Sequence, residues 1–147
     1  RPEFITELAN VAGSQCVVLG VDSRSENGEW SIYQYTGDVN TIRRTSRHTL
    51  DWIVEAQERG AGEIVLNCMD KDGTRDGYDI AQLAAARKLL SIPLIASGGA
   101  GAARHFPEVF AGADVSGALA ASIFHFNKVS IGEAKAATRA AGFEVRT

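Results

Sequence analysis

The fold is decided by residues 63–101, which read EIVLNCMDKDGTRDGYDIAQLAAARKLLSIPLIASGGAG. Two short, almost unbroken apolar runs, EIVLNCMD (63–70) and PLIASGG (93–99), flank a segment whose apolar residues recur at helical spacing. Short apolar runs of this kind are typical of strands buried on both faces, as in a parallel sheet. The stretch therefore predicts a strand, a helix and a second, parallel strand.

The same order recurs along the whole chain. Two further apolar runs are QCVVLGVD (15–22) and GALAAS (117–122). Helical patterns cover residues 50–60, 80–90, 106–112 and 131–142, and residues 1–13 predict one more helix. Four strand–helix units in series indicate an α/β fold with right-handed connections around a parallel sheet. The longer first connection contains GEWSIYQYTG (28–37), which predicts a small hairpin laid over the carboxyl end of the sheet.

Two architectures fit four such units. One is an open doubly wound sheet, and the other is half of a (β/α)₈ barrel, whose full size is typically about 250 residues. Both place ligands at the carboxyl ends of the parallel strands, so the search for a site is the same in either case.

Composition narrows the functional classes. The chain has 147 residues, 45% hydrophobic and 22% charged, with a net charge of −3, which fits one globular domain. Without a cluster of Lys or Arg, it predicts neither a nucleic-acid polymer nor a membrane as partner. Cys16 and Cys68 lie in apolar runs and are predicted to be buried thiols of a reducing compartment. With no signal peptide or long apolar span, we expect a cytoplasmic protein, and the first residue, Arg1, suggests a fragment of a longer chain.

Candidate binding groups follow the predicted strands. The first strand ends at Asp22, the second at Asn67, the third in SGGAG (97–101) and the fourth in AAS (120–122). Glycine-rich turns before helices expose backbone N–H groups that bind phosphate without requiring a lysine. Two such turns at neighbouring strand ends predict a phosphate site.

The acidic loop MDKDGTRDGYD (69–79) is not an EF-hand calcium site. Counting from Asp70, the sixth position is Arg75 instead of Gly and the twelfth is Ala81 instead of Glu. An ordinary solvated turn and the rim of a binding site both remain open, with Asp79 predicted to cap the next helix. His48, His105 and His125 lack the neighbours of a metal site or a catalytic triad. We predict structural or surface roles for them, and no metal or cofactor.

The motifs GAGEIVLNCMDKDGTRDGYD, PLIASGGAG and GALAASIFHF strongly resemble the cyclase subunit of imidazole glycerol phosphate synthase, a lyase of histidine biosynthesis. The resemblance runs from Pro2 to Arg146. It implies a (β/α)₈ TIM-type barrel, of which this chain matches strands five to eight. Residues 1–147 would then form a single (β/α)₄ half-barrel.

The resemblance also implies an activity. The family cyclase receives ammonia from a glutaminase partner and closes the imidazole ring of a phosphoribulosyl-formimino nucleotide. Its products are imidazole glycerol phosphate and an aminoimidazole carboxamide ribonucleotide. A sister barrel isomerase shares the phosphate loops, but the acidic loop and the GALAASIFHF segment favour the cyclase.

The resemblance also implies roles for individual residues, from the family positions that they match. Asp22 matches a catalytic aspartate that shuttles protons, and Glu63 matches a charged residue at the ammonia entrance, at the opposite end of the barrel. The substrate- and phosphate-binding positions are Asn67, Asp72, Gly73, Ser97, Gly98, Gly99, Ala121 and Ser122.

One expected group is absent. The family's other catalytic aspartate belongs to the half-barrel that this sequence does not contain, so we expect little or no turnover from these residues alone. A half-barrel also leaves strand edges unpaired and one sheet face uncovered, which predicts pairing with the missing half or with a second copy. The alternative is a non-catalytic half-barrel that binds phosphate and self-associates.

Overall fold

The computed structural model of the chain describes residues 1–146 and contains one six-stranded sheet. The strands are β1 (Val18–Glu26), β2 (Glu29–Gln34), β3 (Arg43–His48), β4 (Glu63–Cys68), β5 (Leu94–Ser97) and β6 (Gly117–Ala118). The helices are α1 (Glu3–Ala12), α2 (Thr49–Glu58), α3 (Ile80–Arg87), α4 (His105–Ala113), α5 (Ser122–His125) and α6 (Ile131–Ala140). Among these helices, none has the length and apolar character needed to cross a bilayer.

The sheet has the order β3-β2-β1-β4-β5-β6 and is not closed into a barrel. The pairs β1–β4, β4–β5 and β5–β6 are all parallel, and each connection between them contains a helix. The α/β class and the four parallel strands predicted from the apolar runs are therefore confirmed. The fourth run is shorter than expected, because only Gly117 and Ala118 pair with β5 before the chain turns towards α5.

Helices cover one face of the sheet. Along β4, Ile64, Leu66 and Cys68 are fully buried, while the residues between them are half-exposed. On the opposite face, the side chain of Val18 is 53% exposed, and Leu119, just after β6, is 46% exposed. A strand with alternating burial is a strand packed on one side only. The core of residues 1–146 therefore lies between the sheet and its helices, and the other sheet face is open.

The stretch predicted to be a hairpin, residues 28–37, contains a single strand, β2, which forms a hairpin with the end of β1, so both the bounds and the position predicted for the hairpin are wrong. Strand β2 is not laid over the carboxyl end of the sheet; it joins the sheet beside β1, with Asp22 opposite Tyr33 and Glu26 opposite Glu29. Strand β2 pairs with the edge of β1 opposite to β4, from Asp22 to Glu26, and β1 outruns β4 by three residues. Asn27 and Gly28 both have positive φ, as the two-residue turn of a tight hairpin requires.

The helix ends follow local capping chemistry. Asp79 caps α3 as predicted, since its Oδ1 accepts the N–H of Gln82 at 3.0 Å. Helix α4 begins at His105, one residue before the predicted helical pattern, and residues 102–104 before it form a bend and a turn. Ser130 and Glu133 form a reciprocal capping box at the start of α6.

The two cysteines have different environments. Cys68 is 1% exposed beneath the helices, and burial, helped by the negative charges of Asp79 and Asp70, raises the pKa of its thiol. Cys16 is exposed, so its predicted burial is wrong. It lies in a 3₁₀ turn, Ser14–Cys16, that precedes the buried residue Val17, just before β1.

This difference predicts the thiol chemistry of the folded protein. A chromogenic aromatic disulfide at neutral pH should titrate one thiol rapidly, that of Cys16, and release the second equivalent only after denaturation. The thiolate is the reactive species, and Cys68 is both inaccessible and held in its neutral form. In the Cys16→Ser variant the rapid phase should disappear. A rapid phase that persists in this variant would contradict the buried position of Cys68.

Candidate functional site

A row of polar side chains crosses the carboxyl ends of three parallel strands. Asp22 of β1 lies opposite Asn67 of β4, which lies opposite Ser97 of β5. Residues in one register row point to the same face, here the open one. The Asn67 side-chain amide donates to Asp22 Oδ1 at 2.9 Å, and Ser97 Oγ donates to Asn67 Oδ1 at 3.3 Å. We call these three residues the polar row.

The hairpin adds a fourth member that the sequence analysis missed. Thr36 follows β2, and its hydroxyl donates to the second carboxylate oxygen of Asp22. Tyr35, with a φ of 56°, turns the chain so that Thr36 reaches this oxygen. Both oxygens of the Asp22 carboxylate are therefore hydrogen-bonded, which fixes its orientation while leaving the side chain half-exposed.

A cavity of 280 Å³ lies beside the polar row. Three loops form it: the acidic loop after β4, the glycine turn after β5 and the segment after β6. We call it the loop pocket, and its lining residues are Asn67, Asp72, Gly73, Ser97, Gly98, Gly99, Ala100, Leu119, Ala120, Ala121 and Ser122.

The loop pocket is lined by backbone donors whose bonds are not taken up by the protein. Within residues 1–146, no acceptor receives the N–H of Gly73, Gly99, Ala100 or Ser122. Ser122 is also the first residue of α5. Backbone N–H groups that converge on one cavity favour a bound anion, because their partial positive charges are fixed in place.

The preference of the pocket for an anion does not come from charged side chains. Among the lining residues only Asp72 carries a formal charge, and it is negative. An anion in the pocket would therefore be held by backbone dipoles and the hydroxyl of Ser122, since the Ser97 hydroxyl donates to Asn67. This arrangement suits a ligand group with several acceptor oxygens, such as a phosphate ester.

Close backbone packing explains the glycines of the turn after β5. Gly99 has a φ of 105°, and a Cβ at this position would overlap the carbonyl oxygen of Gly77 in the acidic loop. The two loops are joined at this point, since the Gly77 N–H donates to the Gly99 carbonyl at 2.9 Å. A Cβ on Gly101 would likewise overlap the carbonyl oxygen of Arg75.

The acidic loop is thus partly structural and partly a rim of the pocket. Asp70 accepts the N–H of Ser25 and lies 3.7 Å from the guanidinium of Arg24, and Asp79 is the helix cap. Asp72 and Gly73 line the loop pocket. Of the two interpretations left open by the sequence, each describes a different part of the loop.

Two buried side chains, Tyr78 and His105, make hydrogen bonds to the backbone of these loops. Tyr78 donates its hydroxyl to the Leu119 carbonyl at 3.0 Å, and burial raises the pKa of this hydroxyl. His105 is 2% exposed, and its Nδ1 accepts the Gly101 N–H at 3.0 Å. His48 and His125 are exposed. The structural or surface roles predicted for the three histidines therefore match their positions.

The structure brings together nine of the ten predicted site residues. The eight substrate- and phosphate-binding positions all line the loop pocket, and Asp22 joins them through Asn67. Glu63 opens β4 four residues before Asn67, which places it about 13 Å away, towards the amino end of the strands. This separation is the one expected from the sequence. Ala100, Leu119 and Ala120 also line the pocket, and each lies within two residues of a predicted position, Gly99 or Ala121.

A family model described as "Histidine biosynthesis protein" matches residues 1–130. The chain is 58% identical to the imidazole glycerol phosphate synthase subunit HisF of Stenotrophomonas maltophilia strain K279a, over 99% of this chain and 57% of that protein. It is 57% identical, with the same coverage, to the subunit of that name from Xanthomonas euvesicatoria. The chain spans little more than half the length of these curated relatives.

The loop packing predicts opposite effects for two glycine substitutions. Gly101→Ala should lower the free energy of unfolding by about 1–3 kcal/mol, because the new methyl group must displace the backbone of the acidic loop. Gly132→Ala is the matched control: it lies in α6, where the nearest atom to a new Cβ is 3.8 Å away. It should raise the free energy of unfolding by up to about 1 kcal/mol through helix propensity. Urea unfolding measures both, and equal effects would contradict the close approach at Gly101.

Proposed function

Because the chain belongs to the histidine biosynthesis protein family, we propose that it is the carboxyl-terminal half of an imidazole glycerol phosphate synthase cyclase. In this proposal the protein works in the cytoplasm, where a reducing environment suits its two free cysteines. The observation that carries the proposal is the loop pocket, in which unpaired backbone N–H groups of three loops converge beside an oriented carboxylate.

The proposed architecture is a (β/α)₄ half-barrel spanning residues 1–147, equivalent to strands five to eight of a (β/α)₈ barrel. Its four parallel strands are neighbours in chain order, as in a barrel wall. The open face of the sheet supports this interpretation, since it is the face that points into a closed barrel. The coverage of 57% of the relative's length supports it independently.

Two surfaces near the start of the chain have no packing partner within residues 1–146, and they also support the proposal that another half-barrel packs there. On its outer edge β1 is unpaired over residues 18–21, where a preceding barrel strand would lie. Helix α1 exposes Phe4, Leu8 and Val11 at 47%, 40% and 88%. These three residues are spaced to share one helical face, the pattern of a helix that packs on a neighbour.

The site residues then have defined tasks. The loop pocket binds one phosphate of the nucleotide substrate through the backbone of Gly73, Gly99 and Ser122. This anchor places the reacting end of the substrate over the polar row, where Asp22 transfers protons during ammonia addition and ring closure. Asn67 and Thr36 hold the Asp22 carboxylate in one orientation, so that a free oxygen lone pair faces the substrate.

Two parts of the reaction require groups outside this chain. The family resemblance assigns a second catalytic aspartate and the second phosphate site to the other half-barrel. Ammonia comes from a glutaminase subunit that docks at the amino ends of the strands, where Glu63 lies at the entrance. The isolated chain therefore has one catalytic carboxylate, one phosphate site and no complete reaction centre.

A second candidate is a non-catalytic half-barrel that binds phosphate and self-associates. The open sheet face and the unpaired edge of β1 favour it, because a second copy would cover the same surfaces as the missing half. The two candidates share the loop pocket and differ in whether substrate is turned over when the other half is supplied.

Turnover distinguishes these candidates. We expect the isolated chain, supplied with ammonia and the phosphoribulosyl-formimino nucleotide, to form little or no imidazole glycerol phosphate. Co-expression with the amino-terminal part of the Stenotrophomonas maltophilia relative, the part that this chain does not match, should restore formation of this product, measured chromatographically.

Asp22→Asn serves as the matched variant in the restored enzyme. It keeps the size of the side chain and should reduce turnover about 10²–10⁴-fold, the contribution typical of general acid–base catalysis. Turnover by the isolated chain that approaches the restored level would refute the requirement for two halves. Sedimentation as a dimer, together with no activity in the mixture, would favour the self-associating alternative.

A further inference from the structure

Two side chains outside the loop pocket determine the spacing of its walls. The walls are the turn Gly98–Gly101 and the segment Leu119–Ser122, which follow different strands. One phosphate group can bridge them only if their N–H groups stay a fixed distance apart. The last register pair of β5 and β6 is Ala96 with Ala118, and the Leu119 N–H still donates to the Ala96 carbonyl at 2.8 Å. The ladder therefore holds the start of the second wall and leaves residues 120–122 beyond it.

Tyr78 fixes the segment after β6. Tyr78 lies at the end of the acidic loop and is 6% exposed. Its hydroxyl donates a hydrogen bond of 3.0 Å to the Leu119 carbonyl, in the segment after β6. The ring packs edge-on against Phe106, with centroids 6.1 Å apart, and Phe106 stacks on Phe124 of α5 at 5.9 Å. The hydroxyl is therefore held by a rigid aromatic cluster that also supports the helix beginning at Ser122.

His105 fixes the turn after β5. Its Nδ1 accepts the Gly101 N–H, so the neutral ring carries its proton on Nε2. The ring also lies 3.8 Å from the position of a Cβ on Gly77, directly under the backbone of the acidic loop. The Gly101 N–H is thus turned away from the pocket, while those of Gly99 and Ala100 have no acceptor in residues 1–146.

We infer that Tyr78 and His105 are positioning residues for phosphate binding, each holding one wall of the loop pocket through a hydrogen bond to its backbone. This inference rests on the proposed function, because it concerns the phosphate site assigned there. Neither side chain touches the ligand; each sets where the backbone donors lie.

Dissociation constants for inorganic phosphate, measured calorimetrically on the 147-residue chain, test the inference. Tyr78→Phe keeps the aromatic packing and removes only the hydroxyl, and it should weaken phosphate binding about five-fold, the effect of one ordinary hydrogen bond. His105→Leu should weaken binding about ten-fold. His105→Asn should stay within about two-fold of the parent, because the asparagine Oδ1 is bonded to Cγ, as Nδ1 is, and accepts the same N–H.

Controls separate a positioning role from a general loss of stability. His48→Leu changes an exposed residue outside the pocket and should leave phosphate affinity unchanged. Both His105 variants disturb buried packing, His105→Asn by removing volume and His105→Leu by changing shape, and both should unfold more easily, but only His105→Leu should lose affinity. Amide hydrogen exchange should accelerate at Gly101 in His105→Leu and not in His105→Asn.

The outcomes are distinguishable. If the parent binds phosphate and Tyr78→Phe and His105→Leu bind it equally well, the positioning role is overturned and the proposed site stands. Equal loss of affinity in His105→Asn and His105→Leu would also overturn it, since stability alone would then explain the loss. If the parent binds no phosphate, both the proposed site and this inference fail.

Discussion

The site depends on the parallel register of β1, β4 and β5. Because these strands run in one direction with Asp22, Asn67 and Ser97 level with one another, every loop that follows them emerges at the same edge. A shift of one residue in any strand would turn its polar side chain to the helix-covered face, where Ile64, Leu66 and Leu94 are fully buried. The apolar packing that fixes the register therefore also aligns the candidate catalytic groups.

Above this row, the pocket is made by backbone and not by side-chain charge. Glycines allow the acidic loop and the turn after β5 to touch backbone to backbone, joined by the bond from Gly77 to Gly99. Donors held in this way lose little further freedom when an anion binds, which is the advantage of a preorganised site. The same packing makes the loops interdependent, because the acidic loop supplies the rim residues, the contact to Gly99 and the hydroxyl of Tyr78.

The sequence predicted a strand or helix correctly where one pattern of apolar residues ran through that whole element. Uninterrupted apolar runs identified the four parallel strands, and strand-end position then identified Asp22 and the residues of the loop pocket. The hairpin was harder to place. The carboxyl half of β1, residues 23–26, is polar, so the apolar run stops four residues before the strand does. Residues 24–26 extend past β4, whereas Ser23 is buried and hydrogen-bonded to Thr49 and Gln82. The Asn27–Gly28 pair was the available signal, since this dipeptide favours the tight hairpin turn. Contacts such as Thr36 to Asp22 and His105 to Gly101 join loops whose relative position no local pattern specifies.

The central claim is that unpaired backbone N–H groups of separate loops bind one phosphate. Titration of the ¹⁵N-labelled chain with inorganic phosphate at constant ionic strength, followed by ¹H–¹⁵N correlation spectra, tests it most directly. The account predicts that the amide signals of Gly73, Gly99 and Ser122 move together along one saturable curve, while that of Gly28 in the distant hairpin stays fixed. Signals that do not move, or that move with unrelated midpoints, would contradict a single phosphate site formed by these loops.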